Sequence, residues 1–322
     1  MRKANRKEDL PRFFVSRVFL LEFTYAKIRR FLESDPRALS LMAVPAMILF
    51  FLFVVIPIVT GIQISFTDWN GYSQGYNYVG LENYKELFGS REVWTAFRNT
   101  LMYGFGSTAI QTVLGLALAM LLVKKFFLRT VTRTIVYIPA MVAQLIVGYI
   151  WYFIVSYERG ALNDILKLFG HDPVDWLAVG WRAVLIITLI NSIEYSGKTM
   201  IIFIAGLESI PDMYEEAAKI DGASNWQIFR HITIPMLLPA FTTSLVFNII
   251  GGLKLFGLVV SLTYGGPGYA SHSLSSLINS KYFADQQAGF SAAIGMFSFV
   301  FIMIVSWILR SYLERKDRQI NG

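Results

Sequence analysis

Residues 209–239 read SIPDMYEEAAKIDGASNWQIFRHITIPMLLP, a polar interval between two long apolar segments. The interval carries its own ordering signals. Pro211 suits the first turn of a helix, where its missing N–H costs nothing, and 212–220 is a helix-forming run with early acidic residues. Gly222 offers a left-handed stop. Ser224 and Gln227 have the spacing of a capping box, in which the two side chains satisfy orphan amides, and the second short helix is expected to end where Pro235 follows Ile234. Met213, Ala217 and Ile220 share one face of the first helix; Trp226, Phe229 and Ile232 share one face of the second. A plain connector needs neither face, so this one is expected to press apolar surface onto something. A DNA-binding helix-turn-helix is the bland alternative, but 207–235 holds two basic residues against five acidic ones, a balance that phosphates repel.

Of the 322 residues, 55% are hydrophobic and 16% charged, which places the chain in the membrane class. The absence of cysteine excludes disulfides, thiolate metal sites and cysteine catalysis. His171, His231 and His272 fall in no ligand spacing, so no metal site is expected. Residues 1–38 carry ten Lys/Arg and five Asp/Glu and contain no uncharged run able to cross a bilayer. Phe14, Val18, Leu21, Tyr25, Ile28 and Leu32 recur there at helical spacing, the pattern of an amphipathic helix lying on a membrane surface, and Arg17 and Glu22 interrupt any signal-peptide apolar core. Six apolar segments follow at 39–64, 100–123, 134–157, 181–206, 236–263 and 288–309, each long enough to span. The expected fold is therefore all-α and polytopic, with about six transmembrane helices. It divides into a cytoplasmic basic arm (1–38), a transmembrane domain (39–310, with the loop 207–235) and a cytoplasmic tail (311–322). Lys and Arg number twenty in the arm, the C-terminal residues 310–322 and the loops 124–133 and 207–235, against six in the opposite loops, which places both termini in the cytoplasm. The net charge of +7 then belongs to basic segments facing anionic lipid rather than nucleic acid. The loop 207–235 is acidic against that trend, as expected of a segment that answers to a protein partner.

Glu216-Ala217-Ala218, Asp221-Gly222-Ala223, Phe229, Ile232, Ile234-Pro235 and Pro239 resemble the "EAA" cytoplasmic loop of permease subunits in bacterial ABC importers, most closely the maltose-type carbohydrate branch. Two further stretches resemble outer loops of that branch: Ser65-Phe66-Thr67-Asp68-Trp69-Asn70 with Val79-Gly80-Leu81-Glu82-Asn83-Tyr84, and Leu262-Thr263-Tyr264-Gly265-Gly266-Pro267. The resemblance covers about residues 40–310. Maltose-type subunits can carry extra N-terminal spans and a large periplasmic insertion; this chain has neither, so the shorter six-span relatives are the better comparison. It implies a type I ABC importer permease in the bacterial cytoplasmic (inner) membrane. Its partners would be a second homologous permease, two ATP-binding subunits and a periplasmic or lipid-anchored solute-binding protein. Glu216, Ala217, Ala218, Asp221, Gly222, Ala223, Phe229 and Pro235 would then couple to the ATPase. Gly197-Lys198-Thr199 looks like the end of a P-loop, but Ser192 stands where its first glycine should be and the stretch lies inside an expected span. ATP and Mg thus belong to partner ATPases; no cofactor is expected on this chain, and it is not expected to be an enzyme.

Polar residues inside the spans point to a pathway. In the fourth, Asn191, Glu194, Tyr195 and Lys198 follow i, i+3, i+4, i+7; in the fifth, Ser244, Asn248, Gly251 and Gly252 follow i, i+4, i+7, i+8. A charge near the bilayer centre costs about 2.5–3.5 kcal/mol on insertion scales, so such stripes should face a cavity or a partner helix. Against this, Glu194 and Lys198 could neutralise each other as an i, i+4 pair, and small residues in the fifth segment could serve helix packing. Lys254 lies roughly 120° off the second stripe. By the resemblance, Asn191, Tyr195, Lys198, Asn248, Gly251 and Gly252 come close to positions that line a sugar site. The family by itself implies neutral oligosaccharides, whereas two lysines against one glutamate in the middle of the spans leave a positive excess that an acidic saccharide would offset. A secondary transporter driven by an ion gradient would need an internal repeat that the chain does not show, and a membrane-embedded enzyme would have only Glu194 and Lys198 to work with.

Overall fold

The computed structural model describes residues 36–124 and 126–321; the amphipathic helix expected within 14–32 lies outside them. The chain divides into two units at Gly61. In the first, α1 (Pro36–Phe50) runs through a π turn (Phe51–Val55) into α2 (Ile56–Ile64), within which the division falls. Ala43–Ile64 is a 22-residue apolar stretch of which nothing is buried. At 1.5 Å per residue it reaches about 33 Å, enough for a hydrocarbon core of about 30 Å. Phe50, Phe51 and Phe53 stand exposed on successive sides of it, a surface suited to lipid rather than water.

The second unit is helical, with one isolated bridge between Thr67 and Tyr78 among the described residues. Its first part holds α3 (Glu82–Gly89), α4 (Arg91–Leu101), a π turn (Met102–Gly106) and α5 (Ser107–Leu122). Ser90 caps α4 by accepting from the Val93 amide, and Arg91–Leu122 is a 32-residue helical stretch that contains a window apolar enough to cross a membrane. The two outer-loop stretches 65–70 and 79–84 are pinned together because the Asn83 side chain donates to the carbonyls of Ser65 and Thr67, both at 2.8 Å.

The third apolar segment departs from a single straight span. α6 (Arg129–Tyr137) ends in a 3₁₀ turn (Ile138–Met141) and meets α7 (Gln144–Val155) at 99°. Pro139 lies in that turn, where it can donate no helical hydrogen bond, and Val142 and Ala143 are extended. After α8 (Ala161–Leu168), the fourth segment forms α9 (Gly180–Glu208), unbroken over 29 residues. Its polar stripe keeps it below the apolarity that, among the described residues, marks three other helices, or five counting bent pairs, as long and apolar enough to cross. Fourteen of its residues are buried, which identifies α9 as the central helix. It packs chiefly along α5 and, after the loop that follows it, on α13 (Leu238–Leu253).

The fifth segment is also interrupted. α13 is 16 residues long, about 24 Å, and the chain breaks at Lys254 to Phe256 before α14 (Gly257–Thr263). α15 (Leu274–Phe283) and α16 (Ala288–Asn321) complete the unit. Three apolar clusters hold it. Val147, Ile187, Leu258 and Leu262 join α7, α9 and α14; Leu87, Leu274, Leu277 and Ile294 join α3, α15 and α16; Met200, Phe203, Leu237 and Ala240 join α9 to the start of α13. At one end Arg133 bridges Glu208 at 3.1 Å, tying α6 to the end of α9. At the other, the Asn99 amide donates to the carbonyls of Ala270 (2.8 Å) and His272 (3.0 Å), and the Tyr103 hydroxyl donates to that of Ser271, so the glycine-rich turn is fastened to α4.

Candidate functional site

The two stripes meet. Asn191, Tyr195 and Lys198 from α9, with Asn248, Gly251 and Gly252 from α13, line one cavity of about 310 Å³ in the second unit, and Lys254 joins them from the break after α13. Asn248 is held by donating to Thr199 Oγ1 at 2.9 Å and to Ser244 Oγ at 3.3 Å, so Ser244 supports the wall rather than forming it. Gly252 serves packing, because a Cβ there would overlap the Tyr103 carbonyl and the Gly104 backbone in the π turn. At Gly251 a Cβ would meet nothing within 4 Å, so that residue leaves space.

Glu194 does not line the cavity. Its side chain is turned into the packed interior at 1% exposure, and neither carboxylate oxygen meets a hydrogen-bond partner. The mutual neutralisation open to Glu194 and Lys198 on spacing is therefore not formed. Lys198 instead lies over the Phe247 ring, 5.0 Å from its centroid.

Three lining residues, Gln111, Gln144 and Phe247, lay outside the sequence reading. Gln111 is a lone amide on α5, whose side chain donates to the Asn191 carbonyl at 3.0 Å; an amide inside an apolar span is the signal that could have marked it. Gln144 reaches the cavity because the bend after Pro139 places it in the first turn of α7. Phe247 reads from sequence as an ordinary apolar span residue. A larger cavity of about 700 Å³ opens between α4 and α9, but its walls, including Met102, Phe105 and Leu185, are mainly apolar, and the amide in its lining, Asn99, already donates to the Ala270 and His272 carbonyls.

The loop between α9 and α13 is ordered as its caps require. α10 (Asp212–Ile220) follows Pro211, which is the N-cap rather than a first-turn residue. Gly222 has φ +79°, and its N–H donates to Lys219 O (3.1 Å) while that of Ala223 donates to Ala218 O (2.9 Å), a complete Schellman stop. Ser224 and Gln227 form the reciprocal capping box of α11 (Asn225–Ile228). The expected end at Pro235 is not observed. The chain widens into a π turn (Phe229–Thr233), passes through α12 (Ile234–Met236) with Pro235 in its first turn, where a missing N–H is harmless, and bends by 65° into α13. Glu216, Ala217 and Asp221 are exposed, Ala218 and Ala223 partly so, and Phe229 packs on Trp226 at 5.6 Å. Ile220 is 87% exposed, and Met213 and Trp226 are each 66% exposed.

Residues 111–318 match the family described as binding-protein-dependent transport system inner membrane component. The chain belongs to that family. Among relatives of this permease, the probable starch degradation products transport system permease protein AmyD of Thermoanaerobacterium thermosulfurigenes is 34% identical over 281 residues, covering 86% of this chain and 93% of that protein. The trehalose/maltose transport system permease protein MalF of Thermococcus litoralis is 32% identical over 263 residues, covering 82% and 89%. In fold the permease is similar to a chain of a bacterial ABC transporter involved in the import of the acidic polysaccharide alginate, with a TM-score of 0.75, 24% identity, and 92% and 100% of the two chains covered.

Proposed function

We propose that this permease is one of two membrane subunits of an ATP-driven ABC importer for a sugar or oligosaccharide. The observation that carries the reading is the cavity: amides of Gln111, Gln144, Asn191 and Asn248 beside the rings of Tyr195 and Phe247 offer the mixed donors, acceptors and apolar faces that a sugar ring presents in turn. Named relatives above 30% identity that serve starch products and trehalose or maltose support the same class. A second, homologous permease completes the pathway, a solute-binding protein delivers the substrate from outside, and two ATPases power the cycle.

Coupling to the ATPase falls to the loop between α9 and α13. Met213, Ile220 and Trp226 would be costly to leave in water on so firmly capped a segment, and the neighbouring Glu216 has no ion-pair partner among the described residues. By the charge asymmetry this loop, 124–133 and both termini face the cytoplasm, with the chain in the bacterial inner membrane. The test is substrate-stimulated ATP hydrolysis in the assembled transporter. Glu216→Lys and Ile220→Asp should each abolish stimulation while the subunit still inserts and assembles; wild-type stimulation in both would remove the loop from coupling.

A further inference from the structure

We infer that the saccharide carried through this cavity is anionic, a uronate-bearing oligosaccharide, and that Lys198 and Lys254 select it; this rests on the sugar-permease reading above. The lining holds two ammonium groups and no carboxylate. Glu194, the acid nearest Lys198 in sequence, is buried away from the cavity and makes no hydrogen bond to it. Of the remaining cations in the apolar segments, Arg182 sits two residues inside the outer end of α9, where water is near. Lys198 and Lys254 are thus the charges that the middle of the second unit keeps without an ion-pair partner among the described residues.

Both lysines line the cavity, and neither is neutralised by a carboxylate there. Lys198 rests on the Phe247 ring, which supports an ammonium electrostatically without neutralising it. Lys254 follows the last turn of α13, where the carbonyl end of the helix favours a cation but supplies only about half a charge. A neutral sugar would leave both ammonium groups to be desolvated without return, whereas a carboxylate on a sugar ring offsets that cost and gains charge-assisted hydrogen bonds. The Asn191 side chain makes no hydrogen bond among the described residues and the Tyr195 ring carries no cation, so these two can meet a sugar hydroxyl and a ring face while Lys198 stays on Phe247. Lysine presents a point charge rather than a planar fork, which suits a carboxylate that moves through the site instead of locking into it.

The experiment uses the full transporter, with its binding protein, in liposomes. Uptake is measured for trisaccharides of galacturonate, glucuronate and mannuronate, and for their carboxyl-reduced counterparts of equal length. The wild type should import at least one uronate series faster than its reduced form. Lys198→Met and Lys254→Met should each lower that uptake about tenfold or more, the scale of losing a charge-assisted hydrogen bond, while Lys198→Arg retains most of it. Co-elution of the variant with its partner subunits separates a binding defect from misassembly. Unchanged uronate uptake in both methionine variants, or import of the reduced series alone, overturns the charge selection and leaves the sugar permease standing. Import of neither series, with ATP hydrolysis stimulated by a non-saccharide solute, overturns both.

Discussion

Lys281 shows how much one residue can organise at one end of the second unit. Its ammonium, 11% exposed, meets Glu92 at 2.9 Å and Asp285 at 2.8 Å and lies 5.1 Å from the centre of the Tyr269 ring, so α4, α15 and the turn before α16 share one charge. Burial by itself would lower the lysine, but the hydrogen bonds and charges of Asp285 and Glu92 reverse that and hold it above its usual range. A raised lysine stabilises the fold fully below its unfolded value, about 10.4, and loses the contribution only as pH climbs through the folded one. Lys281→Met should therefore cost about 1–2 kcal/mol, because it leaves two carboxylates together that are buried only in part and can still draw on water. Thermal melts of wild type and variant should differ by a constant amount from pH 7 to about 10 and converge above that. A difference that vanished at neutral pH would show the trio to be ornamental.

At the scale of elements, glycines with different surroundings separate packing from turn chemistry. Gly252 lets α13 approach the π turn at Met102–Gly106, so Gly252→Ala should force the helices apart and cost about 1–3 kcal/mol of stability. Gly251→Ala, one residue earlier and facing open space, should leave the melt unchanged or slightly raised, since alanine restricts the unfolded chain more than glycine does. Gly222 differs from both. Nothing would touch its Cβ, yet its φ of +79° strains any β-branched residue by about 1 kcal/mol or more. Gly222→Val should disturb the Schellman stop and the angle between α10 and α11, lowering stimulated ATP hydrolysis while the melt of the membrane helices hardly moves. Equal stimulation in Gly222→Val and wild type would mean that the angle between these helices carries no signal.

For the whole molecule the prediction concerns orientation: the twenty-to-six asymmetry predicts that both termini lie on the cytoplasmic side. Arg133 and Glu208 meet at one end of the second unit, and Asn99, Ala270 and His272 at the other, so loops separated by an even number of spans gather together. A single cysteine at Ser73 should react with an impermeant reagent added outside intact cells, and one at Ser224 should react only after the membrane is opened. The chain has no cysteine of its own to confuse the readout. The reverse pattern would turn the coupling loop outward and end its proposed role.

The helical class and the ordered loop were legible in residues because each depends on neighbours in the chain. Apolar runs of twenty or more residues satisfy their own backbone only as helices in lipid, and the Ser224–Gln227 box and Gly222 act within one turn. The stripes on α9 and α13 were legible as faces for the same reason. Which atoms those faces meet was not. Gln144 enters the cavity through a 99° bend whose angle depends on how α6 and α7 pack, and Pro139 signals a break but not its direction. Pro235 signals a stop that the π turn ahead of it absorbs. Glu194 and Lys198 have the spacing of an ion pair, yet packing against neighbouring helices sends the carboxylate inward and leaves the ammonium on Phe247. Spacing along one helix sets which side chains share a face; which of them is buried and which lines a cavity is decided by the helices packed against it, and those come from parts of the chain that local pattern does not connect.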